Sequence, residues 1–468
     1  MSSSPITLEN DWLKDPANAR NWSFCKRIYS TTVPSLLCLL VSFNLAMYSP
    51  SHSNAQHHFQ TTSTLSLLPF SLYVYGLAFG PMIAAPISEV FGRRFIYLVM
   101  PPIALLFIMG AGFANNLATL AVCRFLAGLL GSSPLAVGAG TIMDIWAGGQ
   151  PATRAITLFM TSAFLGPALG SLVGGFVAEY KSWRWSQWTT LFLGAMIWLF
   201  GLGAKETYAG PIIRQRAKRL GLPLPPRSIP SGIVGIKFLV TVTLTRPLYM
   251  LLFEPAVGLF SLYASFTFSV LFCFLASFPL VFEKVYGFSP GQSGLVFIAV
   301  AIGCILGAAL LILIDQLVHT KHKLRHGHHS DTPLPPELRL CGAMVGSPLM
   351  PIALFWFAWT ARPGVHWTAP IFATALFGCA NILIFVSGVL YLTGIYGARY
   401  SASALAANGF LRYMLGGSFP LFTLAMYNNL GYSWAGSLLG FLGIAFAPLP
   451  FVFYRFGERI RKSSAYIS

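Results

Sequence analysis

Charged residues are scarce in this chain. Only 9% of its 468 residues are Asp, Glu, Lys or Arg, whereas 55% are hydrophobic, and the mean hydropathy is +0.67. A soluble protein needs a more polar surface than this composition supplies. The scarcity of charge therefore excludes a soluble enzyme or binding protein and indicates a chain whose solvent is the lipid bilayer.

Several functional signatures are also missing. The sequence has no Gly-x-x-x-x-Gly-Lys-Ser/Thr phosphate-binding loop, and its seven cysteines lack the spacing of a metal site or a disulfide framework. The 30 Lys and Arg residues lie between hydrophobic runs and form no basic surface with interleaved aromatics, which argues against nucleic acid as a partner. We therefore expect no cofactor and no metal, and we interpret the histidine-rich run at 319–331 as a solvated loop, although such a composition can also bind transition metals.

Hydrophobic runs of about 20 residues, the length that crosses a bilayer as a helix, recur along the whole chain. The sequence predicts an all-α membrane protein with twelve spans, at 31–49, 65–88, 95–114, 118–143, 155–178, 189–204, 248–271, 293–315, 341–360, 369–394, 408–427 and 432–453. The long basic break at 205–247 predicts a linker between two six-helix bundles, 31–204 and 248–453, with tails at 1–30 and 454–468. We expect the bundles to enclose a central cavity.

The placement of basic residues predicts the orientation. The odd-numbered breaks contain only Lys181, Arg184, Lys284 and Arg362, whereas nearly all the other Lys and Arg residues lie on the opposite side. By the positive-inside rule that richer side, with both termini, is cytoplasmic. The absence of a recognisable sorting signal favours the plasma membrane over the vacuolar membrane.

The turn after the second span carries an acidic residue followed by basic ones: Glu89, Gly92, Arg93 and Arg94. We expect Glu89 to pair with the two arginines and to stabilise one conformation of the transporter until the bundles move. Plain anchoring of the turn by its positive charges is the alternative.

Charges inside predicted spans are costly and therefore mark functional candidates. We expect Arg124 and Asp144, at the two ends of the fourth span, and Glu254, just inside the seventh, to take part in proton coupling. The alternatives are that Arg124 extends to the membrane interface, and that Asp144 and Glu254 merely cap helices. Arg412, near the predicted start of the eleventh span, is expected to extend to the membrane interface or to pair with a lipid phosphate, with a functional role as the alternative.

The fifth span places Gly166, Gly170 and Gly174 four residues apart, which makes one smooth helical face. Pro167 is expected to bend this helix, and the run of small residues ends with Gly174 and Gly175. This pattern favours a gate that closes by tight packing, with ordinary close packing as the alternative. For cargo contacts we expect aromatic and amide side chains on the second bundle, namely Tyr263, Phe266, Asn381, Tyr391 and Phe419.

These motifs resemble those of the major facilitator superfamily. The turn is similar to its Gly-x-Leu-Ala-Asp-x-x-Gly-Arg-Arg/Lys signature, with Ala85 and Glu89 in place of the first Gly and the Asp. Leu120, Arg124 and Gly128 resemble its fourth-span motif, whose arginine is implicated in proton coupling. The fifth span resembles the Gly-x-x-x-Gly-Pro-x-x-Gly-Gly signature of proton-driven exporters, with Ser162 at the leading glycine.

Further stretches, among them KETYAGPIIRQRAKRL and YSASALAANGFLRYMLGGSFPLF, resemble the fungal twelve-span drug:proton antiporters of the cercosporin-facilitator type. The resemblance implies a monomeric, proton-coupled exporter of small amphiphilic cargo, in which a carboxylate coupled to Arg124 takes up the proton. A proton-coupled importer of a nutrient such as a polyamine or vitamin is the alternative, and a non-transporting membrane receptor is a third possibility.

Overall fold

The computed structural model describes residues 11–146, 149–221, 241–326, 334–462, 464 and 466. Within these ranges the regular secondary structure is helical and contains no strand, so the all-α prediction is confirmed. Parts of the predicted tails, linker and histidine-rich run lie outside the described residues, namely 1–10, 222–240, 327–333, 463, 465 and 467–468.

The first six spans occupy the predicted positions. They are Phe24–Met47, Ser63–Phe91, Arg93–Gly112, Leu117–Trp146, Gly149–Tyr180 and Arg184–Gly201. The fourth consists of two helices, Leu117–Gly131 and Ser133–Trp146, which meet at Ser132 just before Pro134. After the first span, a short turn leads into the helix His52–Phe59, which packs beside the second span.

The second set of spans begins with Pro255–Tyr286, Pro290–His322 and Cys341–Thr360. A helical stretch, Thr368–Phe446, then contains the last three spans, at 368–396, 398–430 and 432–446. The stretch is divided at Gly397 (φ 55°) and Gly431 (φ 76°). Both have a positive φ, which glycine adopts without a steric clash because it has no Cβ. Ten helical stretches in the described ranges are long and apolar enough to cross a membrane; the last of them contains both the eleventh and the twelfth predicted spans, and Arg184–Gly201 occupies the position of the predicted sixth span.

The spans pack as two bundles. In the first, spans one, two and three contact spans four, five and six, and in the second the 368–446 stretch contacts spans seven, eight and nine. The bundles meet where the second span packs on the 368–446 stretch and where the fifth span packs on the eighth. We call the membrane side that holds Phe24 and Lys462 the terminal face, and the opposite side the distal face.

Several span boundaries differ from the predictions: the seventh span, for example, ends at Tyr286 rather than 271. The beginnings of the seventh and eleventh spans matter most for the site. The seventh span begins at Pro255 rather than 248, because proline is accommodated at the first turn of a helix, and Arg246–Phe253 forms a separate short helix before it. The eleventh covers 398–430 rather than 408–427, because the helix continues beyond the apolar core that hydropathy detects. The second correction moves Arg412 to the middle of its span.

Polar elements join the bundles to the segments at the terminal face. Asp15, in the amino-terminal tail, forms an ion pair with Arg216 of the linker helix Ala209–Arg219, which includes an Arg216 Nη2–Asp15 Oδ1 contact of 3.1 Å. That hydrogen-bonded guanidinium holds the pKa of the Asp15 carboxyl below its usual value. The final helix, Leu449–Lys462, is tied down by an Arg461–Glu337 ion pair of 2.9 Å.

Candidate transport site

Arg124 lies inside the first bundle, about two turns after the fourth span begins at Leu117. Asn116 caps this helix by accepting a hydrogen bond from the Thr119 N–H (2.7 Å), which fixes the start of the span. The Arg124 side chain is only 1% exposed. It therefore does not extend to the membrane interface, and that alternative is wrong.

Three oxygen atoms accept hydrogen bonds from the Arg124 guanidinium. Nε donates to the carbonyl of Pro69 (3.1 Å), Nη2 to the carbonyl of Asn44 (3.2 Å) and Nη1 to Oε1 of Gln187 (3.4 Å). The Asn44 carbonyl is available because the first span ends at Met47, and the last carbonyls of a helix have no intrahelical donor. One buried cation thus connects the fourth span to the first, second and sixth.

Aromatic rings complete the surroundings of Arg124. The ring centroids of Tyr48 and Tyr73 lie 4.8 and 4.9 Å from its guanidinium carbon, a geometry that stabilises a cation. In the part of the chain that the structure describes, no carboxylate pairs with Arg124. Asp144, near the opposite end of the same span, pairs instead with Arg93. The structure therefore does not bring the predicted proton-coupling residues together.

Glu254 is buried at the terminal-face end of the seventh span. It occupies the capping position before Pro255, but its side chain makes no capping hydrogen bond. Its Oε2 instead accepts a hydrogen bond from the Tyr396 hydroxyl of the tenth span (3.0 Å). Its role in proton coupling remains a prediction.

The turn after the second span is organised around Arg93. Its Nε lies 3.3 Å from Asp144 Oδ2, and its Nη1 donates to Ser88 Oγ at 2.7 Å. Glu89 is exposed and, among the described residues, makes no ion pair or hydrogen bond. The predicted pairing of Glu89 with Arg93 and Arg94 is therefore wrong for this conformation, since Asp144 takes that position.

Sequence reasoning missed a second carboxylate at this turn. Glu206 follows the sixth span, and its side chain accepts hydrogen bonds from the backbone N–H groups of Arg93 (2.9 Å) and Arg94 (3.0 Å). It thereby caps the third span, whose first N–H groups have no intrahelical acceptor. The sequence did offer one sign of its importance, because Glu206 is the single acidic residue in the basic linker at 205–247. We call Ser88, Arg93, Asp144 and Glu206 the terminal-face network.

Gly92 allows this capping arrangement. Its backbone has φ +94°, and a Cβ added there would lie 2.2 Å from Oε2 of Glu206. Glycine is therefore required at this position both by the backbone conformation and by the approach of the carboxylate. The sequence identified Gly92 correctly as part of the turn but gave no reason for it.

We expect Glu206→Ala to destabilise the protein by about 1–2 kcal/mol, because the first N–H groups of the third span lose a charged acceptor. Thermal unfolding of the purified full chain, with Glu206→Gln expected to be intermediate, measures this effect. Glu458→Ala is the matched control, since Glu458 is exposed and forms its ion pair with Lys462 on its own helix. Equal unfolding temperatures for Glu206→Ala and Glu458→Ala would contradict the capping role.

The glycine face of the fifth span packs on the first span. Cβ atoms added at Gly166, Gly170 and Gly174 would lie 2.7, 2.4 and 2.7 Å from backbone carbonyl oxygens of the first span. The predicted close approach is therefore present, within the first bundle. Ser162, which replaces the leading glycine of the motif, donates its hydroxyl to the Ser35 carbonyl of the first span (3.0 Å). Pro167 lies within this helix, and the bend expected there remains a prediction.

The distal-face ends of the fifth and eighth spans form a tight contact between the two bundles, which we call the distal seam. A Cβ added at Gly175 would lie 2.5 Å from the Pro290 carbonyl oxygen, and one at Gly294 would lie 2.8 Å from the Ser171 carbonyl oxygen. Backbone therefore packs on backbone across this seam. Nearby, the Ser49 hydroxyl donates to the Leu275 carbonyl (2.8 Å), also between the bundles.

Glu179 adds a carboxylate to the distal seam that sequence reasoning did not identify. Its Oε2 accepts hydrogen bonds from the Ser289 hydroxyl (2.8 Å) and the Gly291 N–H (2.9 Å), both at the start of the eighth span. Such hydrogen bonds to an ionised acceptor are stronger than neutral ones. No motif marks Glu179, because its partners lie more than a hundred residues away.

We expect Glu179→Ala to open the distal seam more often, since the seam loses its charged acceptor. A cysteine introduced at the buried Ser171, in a variant without the native cysteines, reports this as faster labelling by a membrane-impermeant maleimide. Glu283→Ala is the matched control, because Glu283 lies near the same face without a described contact across the seam. Unchanged labelling in Glu179→Ala would show that this contact does not hold the seam closed.

The predicted cargo residues lie in different environments. Tyr263 donates to Ser347 Oγ (3.1 Å), and both Tyr263 and Phe266 stack on Phe446 inside the second bundle. Tyr391 packs near the terminal face, where its ring centroid lies 6.1 Å from that of Phe453 in the final helix. The structure therefore does not bring the predicted set together in one cavity.

Phe419 and Asn381 complete the predicted set. Phe419 is half-buried and its ring lies 4.9 Å from that of Phe422 on the same span. Asn381, in contrast, is buried with both amide atoms lacking a hydrogen-bond partner among the described residues. Of the five predicted residues, Asn381 and Tyr391 have buried polar atoms without a hydrogen-bond partner among the described residues, and in Asn381 this holds for both amide atoms.

Arg412 is not near a lipid phosphate, so that expectation is wrong. The eleventh span begins at 398, which places Arg412 about 20 Å into the helix. Its guanidinium lies against the rings of Phe268 (4.2 Å), Phe385 (4.5 Å) and Tyr413 (4.6 Å). These rings and Phe164, which contacts two of them, form what we call the central aromatic box.

Residues 35–420 match the family described as the Major Facilitator Superfamily. Over 486 aligned residues the chain is 38% identical to Polyamine transporter 4 of Saccharomyces cerevisiae, covering 99% of this chain and 73% of that protein. It is 36% identical to Efflux pump FUBT of Fusarium oxysporum, covering 97% and 76% of the two chains.

The fold is similar to that of a solved transporter. The proton:xylose symporter XylE superposes with a TM-score of 0.65 at 14% identity, over 93% of this chain and 96% of that one. At this level of identity the similarity concerns the fold alone. It agrees with two six-helix bundles that meet along the second, fifth, eighth and eleventh spans.

Proposed function

The chain belongs to the major facilitator superfamily of membrane transporters, and from that premise we propose that it exports small amphiphilic molecules in exchange for protons. The observation that carries the proposal is the glycine face of the fifth span, which packs backbone to backbone on the first span and continues into the distal seam. Its sequence resembles the signature of proton-driven exporters. The name of the relative FUBT, an efflux pump, supports the same direction.

In this proposal the terminal face is cytoplasmic, as the distribution of basic residues predicts, and the protein acts as a monomer in the plasma membrane. The distal seam then closes the cargo path to the outside. Export requires the seam to open while contacts near the terminal face form, which is a rocking of one bundle against the other. Tight contacts such as Gly175–Pro290 make the closed state well defined, because they cannot stretch gradually.

We assign the proton steps to carboxylates away from Arg124. Glu179 is the acceptor of the distal seam, so its protonation from the outside removes the charge that holds Ser289 and Gly291. Asp144 is the corresponding acid in the terminal-face network, where it balances Arg93. Arg124 then acts as a fixed cation that joins four spans into a body that moves as a unit.

Import of a polyamine is the second candidate, because the chain is similar to Polyamine transporter 4. A polycation inside a membrane protein requires carboxylates to balance its charge. Between the two faces, the buried charged side chains of the described residues are Arg124 and Arg412, with Glu254 at the terminal-face end. This positive interior disfavours a polycation and supports export of neutral or anionic cargo.

Accumulation of radiolabelled cycloheximide, 4-butylbenzoate and spermidine in cells that express the full chain tests the proposal. Export lowers the accumulation of at least one amphiphile relative to cells with empty vector, and a protonophore removes the difference. Raised accumulation of spermidine that the protonophore abolishes would establish import instead. A lowered accumulation that the protonophore leaves unchanged would contradict coupling to protons.

A further inference from the structure

We propose, on the premise of the export function above, that Arg412 and Asn381 form a subsite for the carboxylate of an apolar, monoanionic cargo inside the central aromatic box. The subsite lies where the seventh, tenth and eleventh spans meet the fifth span of the other bundle. It accounts for polar atoms that the fold itself leaves unsatisfied.

Arg412 is buried without a balancing charge. Its side chain is 9% exposed, and its Nε has no hydrogen-bond partner among the described residues. No carboxylate forms an ion pair with it in the same ranges. An isolated charge in an apolar interior is costly unless it is paired and hydrogen-bonded. The ring faces around Arg412 and a side-chain hydrogen bond with Tyr413 offset part of that cost, but Nε still has no acceptor among the described residues.

The comparison with Arg124 shows what Arg412 lacks. Both arginines are buried within membrane-spanning helices, and both contact aromatic rings. Arg124 also donates to two backbone carbonyls and a glutamine side chain, so the fold supplies its acceptors. For Nε of Arg412, the described ranges supply no acceptor. A guanidinium presents its donors as a planar fork, and a carboxylate matches that geometry with two oxygens.

Asn381 provides a second unsatisfied group beside the box. It is 1% exposed, and neither Oδ1 nor Nδ2 has a hydrogen-bond partner in the part of the chain that the structure describes. Asn381 lies one helical turn before Phe385, so both residues share a face of the tenth span. Its amide donor is therefore placed to hold one carboxylate oxygen while Arg412 holds the other, which gives Nδ2 of Asn381 and Nε of Arg412 the acceptors they lack.

The central aromatic box determines the rest of the cargo. Phe164, from the first bundle, lies 5.0 Å in ring separation from Phe268 and 5.3 Å from Phe385, both from the second. Ring faces and edges of this kind pack on a flat apolar body. One guanidinium balances one negative charge, so a monoanion is favoured over a dianion such as a phosphate monoester. Because the box includes residues of both bundles, its occupation depends on their relative position.

Three probes with one apolar body and different head groups test the subsite: 4-butylbenzoate, 4-butylbenzamide and 4-butylbenzylammonium. Their affinities for the purified full chain in lipid nanodiscs are measured by equilibrium binding of the labelled compounds. We expect the benzoate to bind at least about tenfold more tightly than the amide, because it forms a charge-assisted hydrogen bond with the guanidinium. The ammonium is expected to bind weakest. Equal affinities for benzoate and amide in the wild-type protein would overturn the proposal.

Substitutions locate the preference. Arg412→Gln should abolish the preference for benzoate over amide, Arg412→Lys should retain part of it, and Asn381→Leu should weaken benzoate binding several-fold. Arg455→Gln is the matched control, because it removes an exposed arginine near the terminal face. A preference that survives Arg412→Gln would assign anion binding elsewhere. If Arg412→Gln does not fold, the wild-type probe series and Arg412→Lys decide the question.

The two proposals fail separately. A wild-type protein that prefers benzoate in nanodiscs but causes no protonophore-sensitive export retains the subsite and loses the export function. One that exports cycloheximide by proton exchange but binds benzoate and amide equally retains the export function and loses the subsite.

Discussion

Arg124→Ala is expected to abolish transport and to destabilise the protein by about 3 kcal/mol or more, since about 1–3 kcal/mol is lost for each buried acceptor left without a donor. The carbonyls of Pro69 and Asn44 and the side chain of Gln187 all lose their partner. Those groups belong to three different spans, so the substitution loosens the bundle as well as removing a charge. Cargo flux per folded molecule and thermal unfolding of the same preparation measure the two effects.

Arg124→Lys separates the charge from the hydrogen bonds. Lysine keeps the positive charge but cannot direct donors to three spans as a guanidinium does. We therefore expect it to regain part of the stability and only a small part of the flux. If Arg124→Ala carries cargo at the wild-type rate per folded molecule, the role assigned to this cation is wrong.

Gly170→Leu is expected to have a comparably large effect. Even a Cβ at this position would lie 2.4 Å from the Phe43 carbonyl oxygen, and that atom belongs to the backbone of the first span. A leucine therefore forces the first and fifth spans apart. Overpacking of this kind is expected to lower the free energy of unfolding by about 3 kcal/mol. We expect loss of transport, together with faster maleimide labelling of a cysteine at Ser171.

Gly409→Leu is the matched control for Gly170→Leu. Gly409 also lies within a membrane-crossing helix, but a Cβ added there meets no atom within 4 Å. The same change of residue is therefore expected to leave flux and stability nearly unchanged. Similar losses in both variants would show that leucine in any span is harmful and that the glycine face has no special role.

Hydropathy predicted the twelve helices because lipid-exposed and buried surfaces of a span are both apolar. It located span ends less well, since charged and polar residues continue a helix beyond its apolar core. That error matters for Arg412. If the eleventh span began at 408, as predicted, Arg412 would lie near a lipid headgroup. The span begins at 398, and Arg412 lies in the central aromatic box. The spacing of Gly166, Gly170 and Gly174 predicted a close helix contact correctly, because a period of four defines one face.

Pairings across long sequence distances were not predictable from one sequence. Asp144 was predicted, like Arg124, as a proton-coupling residue, yet it pairs with Arg93 of the third span. Glu206 and Glu179 gained their meaning only when folding placed backbone N–H groups beside them. Local patterns thus identified the turn, the buried arginine and the glycine face, whereas the partners of each charge depended on packing.

Proton exchange itself is the central claim, and sealed proteoliposomes that contain a pH-sensitive dye test it most directly. The full chain is reconstituted without a pH gradient, and a cargo that cells export is added outside. Antiport predicts that cargo enters while protons leave, so the interior becomes more alkaline relative to vesicles carrying Gly170→Leu. An interior that becomes more acidic than in those control vesicles, or that does not change while cargo enters, would contradict the account.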